Sequence, residues 1–94
     1  MTNRYGSDLD AAVAAEVRAE LGRQRRVTVS AIAEAQGMRR ATLSARVNGH
    51  APFSPSLLSA VATHLGTTAS EITARAERAL ADDSTPAQRP RLTA

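Results

Sequence analysis

Residues 28–49 read TVSAIAEAQGMRRATLSARVNG, and this stretch decides the fold of the chain. Two short segments with apolar residues at helical spacing flank Gly37. The positions expected on the buried side are Ile32, Ala33, Leu43 and Val47. Gly37 stands where one helix must end and the chain turn sharply, which suits a residue without a Cβ atom. The stretch therefore has the pattern of a helix-turn-helix, with Arg40 at the start of the second helix.

Positive charge is concentrated on and just before this stretch. The chain has 94 residues, which is the size of one small domain, and a net charge of +3. Residues 1–22 and 47–83 each have a balance of −2, and residues 84–94 have a balance of +2. Residues 23–46 hold six arginines against Glu34 alone, a balance of +5. This distribution is what a phosphate-binding surface needs, although a solvated basic face would produce it too.

The composition argues against several classes of protein. The chain has no cysteine and only two histidines, His50 and His64, so we expect no disulfide, no metal site and no cofactor. It has no cysteine nucleophile, no metal-ligand cluster and no glycine-rich phosphate loop, and we predict that it is not an enzyme. We also expect no signal peptide, no membrane span and no small-molecule ligand, and a reducing cytoplasm as the compartment.

The apolar spacing and the cap signals predict an all-α domain of five helices. The predicted helices are residues 8–24, 29–36, 40–48, 55–65 and 69–80. The predicted N-caps are Ser7, Thr28, Ser54 and Thr68, the last within a capping box that ends at Glu71. The predicted helix ends are Gly37, Gly49 and Gly66. On the first helix we expect Glu16 and Glu20 to lie on the polar face. The expected apolar positions are Leu9, Val13, Val17 and Leu21 on the first helix and Leu57, Leu58, Val61, Ala62 and Leu65 on the fourth.

The ends of the chain have no apolar pattern. Residues 1–6 are predicted to be a flexible arm, residues 7–82 the folded domain, and residues 83–94 a disordered tail rich in Ser, Thr, Pro, Gln and Arg. Phe53, the single phenylalanine, is expected to anchor the loop before the fourth helix on the core.

From Val17 to about Leu80 the order and spacing of these motifs resemble the lambda-repressor-like (Cro/repressor, XRE) DNA-binding domain. The matching motifs are Ile32 to Met38, Arg40 to Asn48-Gly49, and Ala62 with Leu65-Gly66. The resemblance implies a compact five-helix domain whose second and third helices form the helix-turn-helix. It also implies a cytoplasmic, nucleoid-associated regulator of transcription in a bacterial host, often of phage or mobile-element origin, that binds a pseudo-palindromic operator as a dimer.

The chain departs from the family pattern at three places. Val29 stands where members often have a glutamine that supports a phosphate contact. Arg39 stands at the N-cap of the recognition helix, where it has no lone pair to accept a hydrogen bond. A Glu–Arg pair common in the family is replaced by Val47 and Gly22, and because both charges are lost together, no unpaired charge is left behind.

The third helix supplies the candidate base contacts. At 100° per residue, Ala41 and Ala45 lie opposite Leu43 and Val47 and Ser44 lies at the edge of that side, while Arg40 opens the helix that would enter the groove. The predicted base contacts are Arg40, Ala41, Thr42, Ser44 and Ala45. Arg40 is expected to dominate as a bidentate donor to guanine, whereas the alanines have only a methyl group to offer a thymine.

The candidate phosphate contacts are Thr28, Ser30, Arg39, Asn48 and His50. For Arg23, Arg25 and Arg26 a phosphate contact and a solvated face are equally supported. The competing interpretation of the chain is a protein-binding helix-turn-helix module such as an antitoxin or antirepressor. Small residues on the fifth helix (Ala69, Ala76, Ala79) would allow that helix to receive a partner or a second copy in a homodimer.

Overall fold

The computed structural model describes residues 4–84, and side-chain exposure is described for residues 8–82. The helices are α1 (Arg4–Arg23), α2 (Val29–Ala35), α3 (Arg40–Val47), α4 (Pro55–His64) and α5 (Ala69–Ser84). Residues 4–84 contain no strand, so the prediction of an all-α domain with five helices is confirmed. No helix in this part of the chain is long and apolar enough to cross a membrane.

One apolar core joins all five helices. Its buried members are Val13, Val17, Ile32, Ala33, Leu43, Val47, Leu58, Val61, Ala62, Leu65, Ile72 and Ala76. Leu9, Leu21, Met38 and Phe53 pack against this core and remain partly exposed. The apolar positions named from helical spacing on α1, α2 and α3 therefore do face the interior, and Phe53 does anchor its loop.

Three helices begin with the predicted side-chain cap. The hydroxyls of Thr28, Ser54 and Thr68 accept the backbone N–H three residues later, at 3.0, 3.2 and 3.0 Å. Each bond satisfies a donor that has no partner inside its helix. At the start of α5 the carboxylate of Glu71 bonds Nε of Arg75 at 3.0 Å, so the capping box predicted there is present only in the bond that Thr68 accepts.

Three helices also end at a glycine with positive φ. Gly37, Gly49 and Gly66 have φ angles of 68°, 83° and 75°. After each, the chain reverses with two backbone bonds to the last turn; for α3 these run from Gly49 N–H to Arg46 O (3.1 Å) and from His50 N–H to Ala45 O (2.8 Å). Because an L side chain rarely adopts this backbone conformation, these residues fix where α2, α3 and α4 stop.

The outer helices are longer than predicted. α1 begins at Arg4, so Ser7 lies inside the helix rather than at its N-cap, and residues 4–6 of the predicted arm are helical. Gly6 lowers helix propensity by about 1 kcal/mol but keeps its N–H and does not interrupt the helix. α5 continues to Ser84 because no glycine or proline intervenes, and Asp83 and Ser84 of the predicted tail are helical. Residues 1–3 and 85–94 lie outside the described part, as does the disorder predicted there.

The small residues of α5 do not form one exposed face. Ala76 is fully buried and Ala69 packs against the core, while Ala79 is exposed. α5 lies mainly against α1. This packing buries the side of α5 that carries Ile72 and Ala76, which are four residues apart. Of the three alanines predicted to receive a partner, Ala76 is buried in the core and cannot contact one, whereas Ala69 is partly exposed and Ala79 is exposed.

Candidate nucleic-acid interface

The start of α2 presents two hydroxyls. Thr28 Oγ1 accepts the N–H of Ala31 at 3.0 Å, and its own O–H remains available as a donor. Ser30 lies one residue into α2 and is exposed. Ile32 and Ala33 are buried on the opposite side, which holds the start of α2 toward solvent.

A four-residue turn, residues 36–39, connects α2 to α3. The N–H of Gly37 bonds Glu34 O at 3.1 Å, and the N–H of Met38 bonds Ala33 O at 3.0 Å. Met38 packs against the core, so the turn is held by backbone bonds on one side and by an apolar anchor on the other. The angle between α2 and α3 is fixed by these contacts together with the packing of Leu43.

The end of α3 is held by α1. Leu43 and Val47 insert into the core, and the guanidinium of Arg18 donates a 2.8 Å hydrogen bond to the carbonyl of Val47. This bond satisfies a carbonyl that has no partner within α3. Sequence reasoning missed Arg18 because the contact spans 29 residues and leaves no local signal. The Glu–Arg pair that this chain lacks would join positions 47 and 22. Instead Arg18, one turn before Gly22 on α1, bonds the backbone carbonyl of Val47.

The five predicted base contacts differ in exposure. Arg40, Ala41 and Thr42, in the first turn of α3, are exposed. Ser44 and Ala45 are half-buried. Ser44 Oγ also lies 3.3 Å from Nδ2 of Asn48, so a predicted base contact and a predicted phosphate contact bond to each other.

The five predicted phosphate contacts fall into three places rather than one. Thr28 and Ser30 lie at the start of α2, Arg39 lies before α3, and Asn48 and His50 lie at the end of α3. All five are exposed. At 1.5 Å per residue, α2 and α3 are each on the order of 10–12 Å long, so the three places are separated by about that distance along the helices.

Arg39 and Arg40 occupy the positive end of α3. Arg39 is the N-cap residue, in extended backbone conformation (φ −71°, ψ 142°), and makes no side-chain cap hydrogen bond. The first turn of α3 contains no acidic residue. A cation at a helix N-terminus is disfavoured by about 0.3–1 kcal/mol, and here two guanidinium groups lie there. Within residues 8–82 neither has an ion-pair partner that would compensate this cost.

The other basic side chains near α2 and α3 divide into two groups. Arg25 and Arg26 are exposed in the turn before α2, and neither is in an ion pair with any residue between 8 and 82. Arg23, by contrast, bonds Glu20 at 2.7 Å. For these three arginines the sequence supported a phosphate contact and a solvated face equally. In the structure Arg23 is paired with a carboxylate, whereas Arg25 and Arg26 have no ion pair among residues 8–82.

Glu20 is the main error of the sequence prediction. It is 9% exposed, whereas it was expected on the polar face of α1. Its Oε2 accepts from Arg23 and from Arg75, each at 2.7 Å, and its Oε1 accepts from Gln24 at 3.0 Å. Hydrogen bonds from Arg23, then Arg75 and Gln24, lower the pKa of the Glu20 carboxyl to about 2. The residue therefore carries a charge at neutral pH in the junction between α1 and α5.

Gln24 extends this junction to α4. Its Nε2 donates to Leu65 O at 2.8 Å as well as to Glu20, and Val27 N–H donates to Gln24 O at 2.9 Å. These bonds tie the turn that carries Arg25 and Arg26 to the end of α4. The backbone of Arg25 and Arg26 is consequently held by bonds on both sides of the turn, while their side chains extend into solvent.

The described residues contain no group of three or more His, Cys, Asp or Glu side chains that could hold a metal ion. His50 is exposed, and Nε2 of His64 lies 3.4 Å from Nε2 of Gln36 at the end of α2. The two histidines are therefore placed on separate elements, one after α3 and one at the end of α4.

Comparisons with models of protein families, with curated proteins and with solved structures found no match to this chain. A function is therefore inferred from the side chains that α2 and α3 present to solvent and from the charges that have no ion pair among residues 8–82.

Proposed function

We propose that this protein binds double-stranded DNA sequence-specifically and regulates transcription as a Cro- or repressor-type regulator. α2 and α3 act as the helix-turn-helix of a lambda-repressor-like domain, with α3 in the major groove of a pseudo-palindromic operator. The observation that carries this proposal is the pair Arg39–Arg40, exposed, uncapped and without an ion pair among residues 8–82, at the positive end of α3.

A bound polyanion offsets the unfavourable interaction between these two guanidinium groups and the dipole of α3. Two cations at a helix N-terminus destabilise the free protein, and nothing in the described contacts offsets them. DNA phosphates and the acceptor edge of guanine supply the missing negative charge and acceptors. Arg25 and Arg26, which precede α2, add to the same basic surface. Glu34, exposed on α2, is the single acid in residues 23–46.

Base recognition depends on few side chains. Arg40 binds guanine O6 and N7, and Thr42 and Ser44 offer hydroxyls. Ala41 and Ala45 contact thymine methyl groups or let the helix approach the bases closely. Ser44 Oγ accepts a hydrogen bond from Asn48 Nδ2, which leaves the Ser44 O–H free to donate to a base. With so few polar readers, part of the specificity comes from DNA shape.

Phosphate contacts orient the domain on the duplex. Thr28 and Ser30 donate from the start of α2, Arg39 from the start of α3, and Asn48 and His50 from its end. The separation of these places, on the order of 10 Å, lets them contact phosphates on both sides of the groove that α3 enters.

Selection of bound sequences from random duplex DNA tests the proposal. An enriched motif with two-fold symmetry, and tighter binding to it than to random duplex in fluorescence anisotropy, is the expected result. Affinity for both DNAs should fall steeply with salt, because binding releases condensed counterions. A protein that enriches no motif and does not shift random duplex at low salt is not a DNA regulator, and the protein-binding module then becomes the better interpretation.

Dimerisation is part of the same proposal. A single module makes few contacts, and a symmetric operator matches a symmetric dimer. If α5 forms the interface, its exposed residues such as Ala79 carry it, since Ala76 is consumed by the core. Sedimentation at micromolar concentration, with and without operator, distinguishes a dimer from a monomer on one half-site.

A further inference from the structure

A second surface of the domain is built in a different way from the basic one. A groove of about 520 Å³ lies between the first half of α1, the start of α4 and the first half of α5. We call it the α1–α4–α5 groove. It is lined by Leu9, Asp10, Val13, Phe53, Pro55, Leu58, Ala69, Ser70, Thr73, Ala74 and Glu77. None of these belongs to residues 28–49, so the groove is separate from the proposed DNA surface.

The floor of the groove is apolar. Val13 and Leu58 are almost completely buried beneath it, and Leu9, Phe53 and Ala69 are partly exposed. A volume of this size lies within the range, about 300–1,000 Å³, of sites that take small ligands or anchoring side chains. The groove is open to solvent along one side rather than enclosed, and thus suits side chains presented by a partner.

The rim of the groove is acidic. Asp10 on α1 and Glu77 on α5 line it and are exposed, and no arginine is among the lining residues. No described ion pair within residues 8–82 involves either carboxylate. Elsewhere the chain does neutralise acids where helices meet, as Glu20 shows with Arg23 and Arg75. The apolar floor is therefore combined with two carboxylates that have no ion pair with any cation among residues 8–82.

We infer that the α1–α4–α5 groove docks an amphipathic segment of a partner protein, with apolar anchor side chains on the floor and a lysine or arginine against Asp10 and Glu77. Charge complementarity selects this occupant: an acidic segment would face two like charges, and a purely apolar one would leave the carboxylates without partners. Because the groove and α3 share no residue, the segment and DNA bind at the same time.

Two short synthetic helical peptides test this inference on the full chain. The first carries leucines at helical spacing together with two arginines, and the second has glutamates in place of the arginines. Amide chemical shifts of the ¹⁵N-labelled protein should move for the first peptide at Leu9, Phe53 and Thr73 and remain in place for the second. Equal binding of both peptides, or shifts confined to residues outside the groove, would overturn the inference.

Substitutions separate the charge from the apolar floor. The double variant Asp10→Asn, Glu77→Gln should lower the affinity for the arginine peptide by about 2- to 5-fold per carboxylate. The difference in affinity between the arginine peptide and the glutamate peptide should become smaller. Ala74→Gln, which places a longer side chain in the groove, should weaken the binding of the arginine peptide with both carboxylates still in place. Glu16→Gln, on α1 outside the groove, is the matched control and should leave the affinity unchanged. Thermal unfolding of each variant checks that the fold is retained.

A titration in the presence of duplex DNA distinguishes this inference from the proposed function. The arginine peptide should bind the free protein and the DNA complex equally. Peptide binding without any DNA binding would leave the groove intact and remove the DNA proposal. Because the arginine peptide can itself bind duplex DNA, its affinity for the duplex is measured without protein; loss of peptide binding beyond that depletion would contradict the groove assignment.

Discussion

The guanidinium of Arg75 on α5 donates a 2.7 Å hydrogen bond to the carboxylate of Glu20 on α1, across 55 residues of sequence. The same carboxylate bonds Arg23 and Gln24, and Gln24 reaches the carbonyl of Leu65 at the end of α4. One side chain thus connects α1, the turn after it, α4 and α5. This is a polar junction at the edge of an otherwise apolar core.

Replacing Glu20 should destabilise the fold. Glu20→Gln removes the charge that Arg23 and Arg75 share, and we expect the free energy of unfolding to fall by about 1–2 kcal/mol, since both guanidinium groups are partly solvated. Urea unfolding followed by circular dichroism measures this. Glu16→Gln on the same helix is the control, with a change within about 0.5 kcal/mol. Equal midpoints for the two variants would show that the junction contributes nothing.

Stability should depend on acid pH through the same carboxyl. The pKa of Glu20 in the folded protein, about 2, lies below its ordinary value of 4.5. The unfolded chain therefore binds the proton more readily, and the contribution of Glu20 is present above about pH 4.5 and is lost as pH falls toward 2. Unfolding midpoints between pH 7 and pH 2.5 should fall more steeply for the natural chain than for Glu20→Gln. Parallel profiles would assign the acid sensitivity to other groups.

Arg18 should hold the end of α3. Arg18→Met keeps the apolar stem but removes the 2.8 Å bond to Val47 O, and should lower the free energy of unfolding by about 0.5–1.5 kcal/mol. Amide exchange should accelerate in the last turn of α3, and DNA affinity should fall although Arg18 is not a predicted contact. Arg26→Met is the matched control for stability, since Arg26 is exposed in a turn. Unchanged exchange at Val47 and Asn48 would contradict this role.

Arg39 should lower the stability of the fold and strengthen DNA binding. Arg39→Ser supplies the missing N-cap oxygen and removes a cation from the positive end of α3, so the free energy of unfolding should rise by about 0.5–2 kcal/mol. Binding to specific and random DNA should weaken by a similar factor, with a salt slope shallower by about one. Thr28→Ala, which loses an existing cap, should change stability in the opposite direction. A serine variant that binds DNA as tightly as the natural chain would remove Arg39 from the phosphate contacts.

Arg40 should read a base. Arg40→Ala should cost about 1–3 kcal/mol on the selected operator and relax the preference at one base pair, with a smaller loss on random duplex. Fluorescence anisotropy on both DNAs at several salt concentrations measures the difference. Arg78→Ala, an exposed arginine on α5, is the control for general loss of positive charge. An equal loss on both DNAs would make Arg40 a phosphate contact instead.

Local signals explain which parts of the fold were predictable. Caps and helix ends depend on residues three to five apart, so Thr28, Ser54 and Thr68, together with the positive-φ glycines, could be identified from spacing alone. Apolar periodicity placed the buried sides of α1 to α4 for the same reason. The outer limits of α1 and α5 were not predicted because Gly6, which lowers helix propensity, lies within α1, and because α5 continues past Leu80 through residues without apolar spacing.

Contacts between distant helices explain the rest. Glu20 lies seven residues after Val13 and three after Val17, so helical spacing alone places it on the apolar side of α1; its partner Arg75, 55 positions later, has no signal in the local sequence. The hydrogen bond from Arg18 to Val47 O has no signal in the local sequence either. For the candidate site, exposure of Arg39 and Arg40 followed from their place at a helix start, whereas the half-burial of Ser44 and Ala45 depends on tertiary packing.

The junction at Glu20 also affects how the molecule meets a charged body at a distance. Because Arg23 and Arg75 are paired with Glu20, the cations without an ion pair among residues 8–82 include those around α2 and α3, and the anions without one include Asp10 and Glu77. Such a molecule has an electric moment, and a polyanion exerts a torque on it. At physiological ionic strength that torque acts only within about 8 Å of the surface. A polyanion would therefore turn the molecule so that α2 and α3 face it only in the last step of approach. Lower ionic strength extends the distance over which this torque acts.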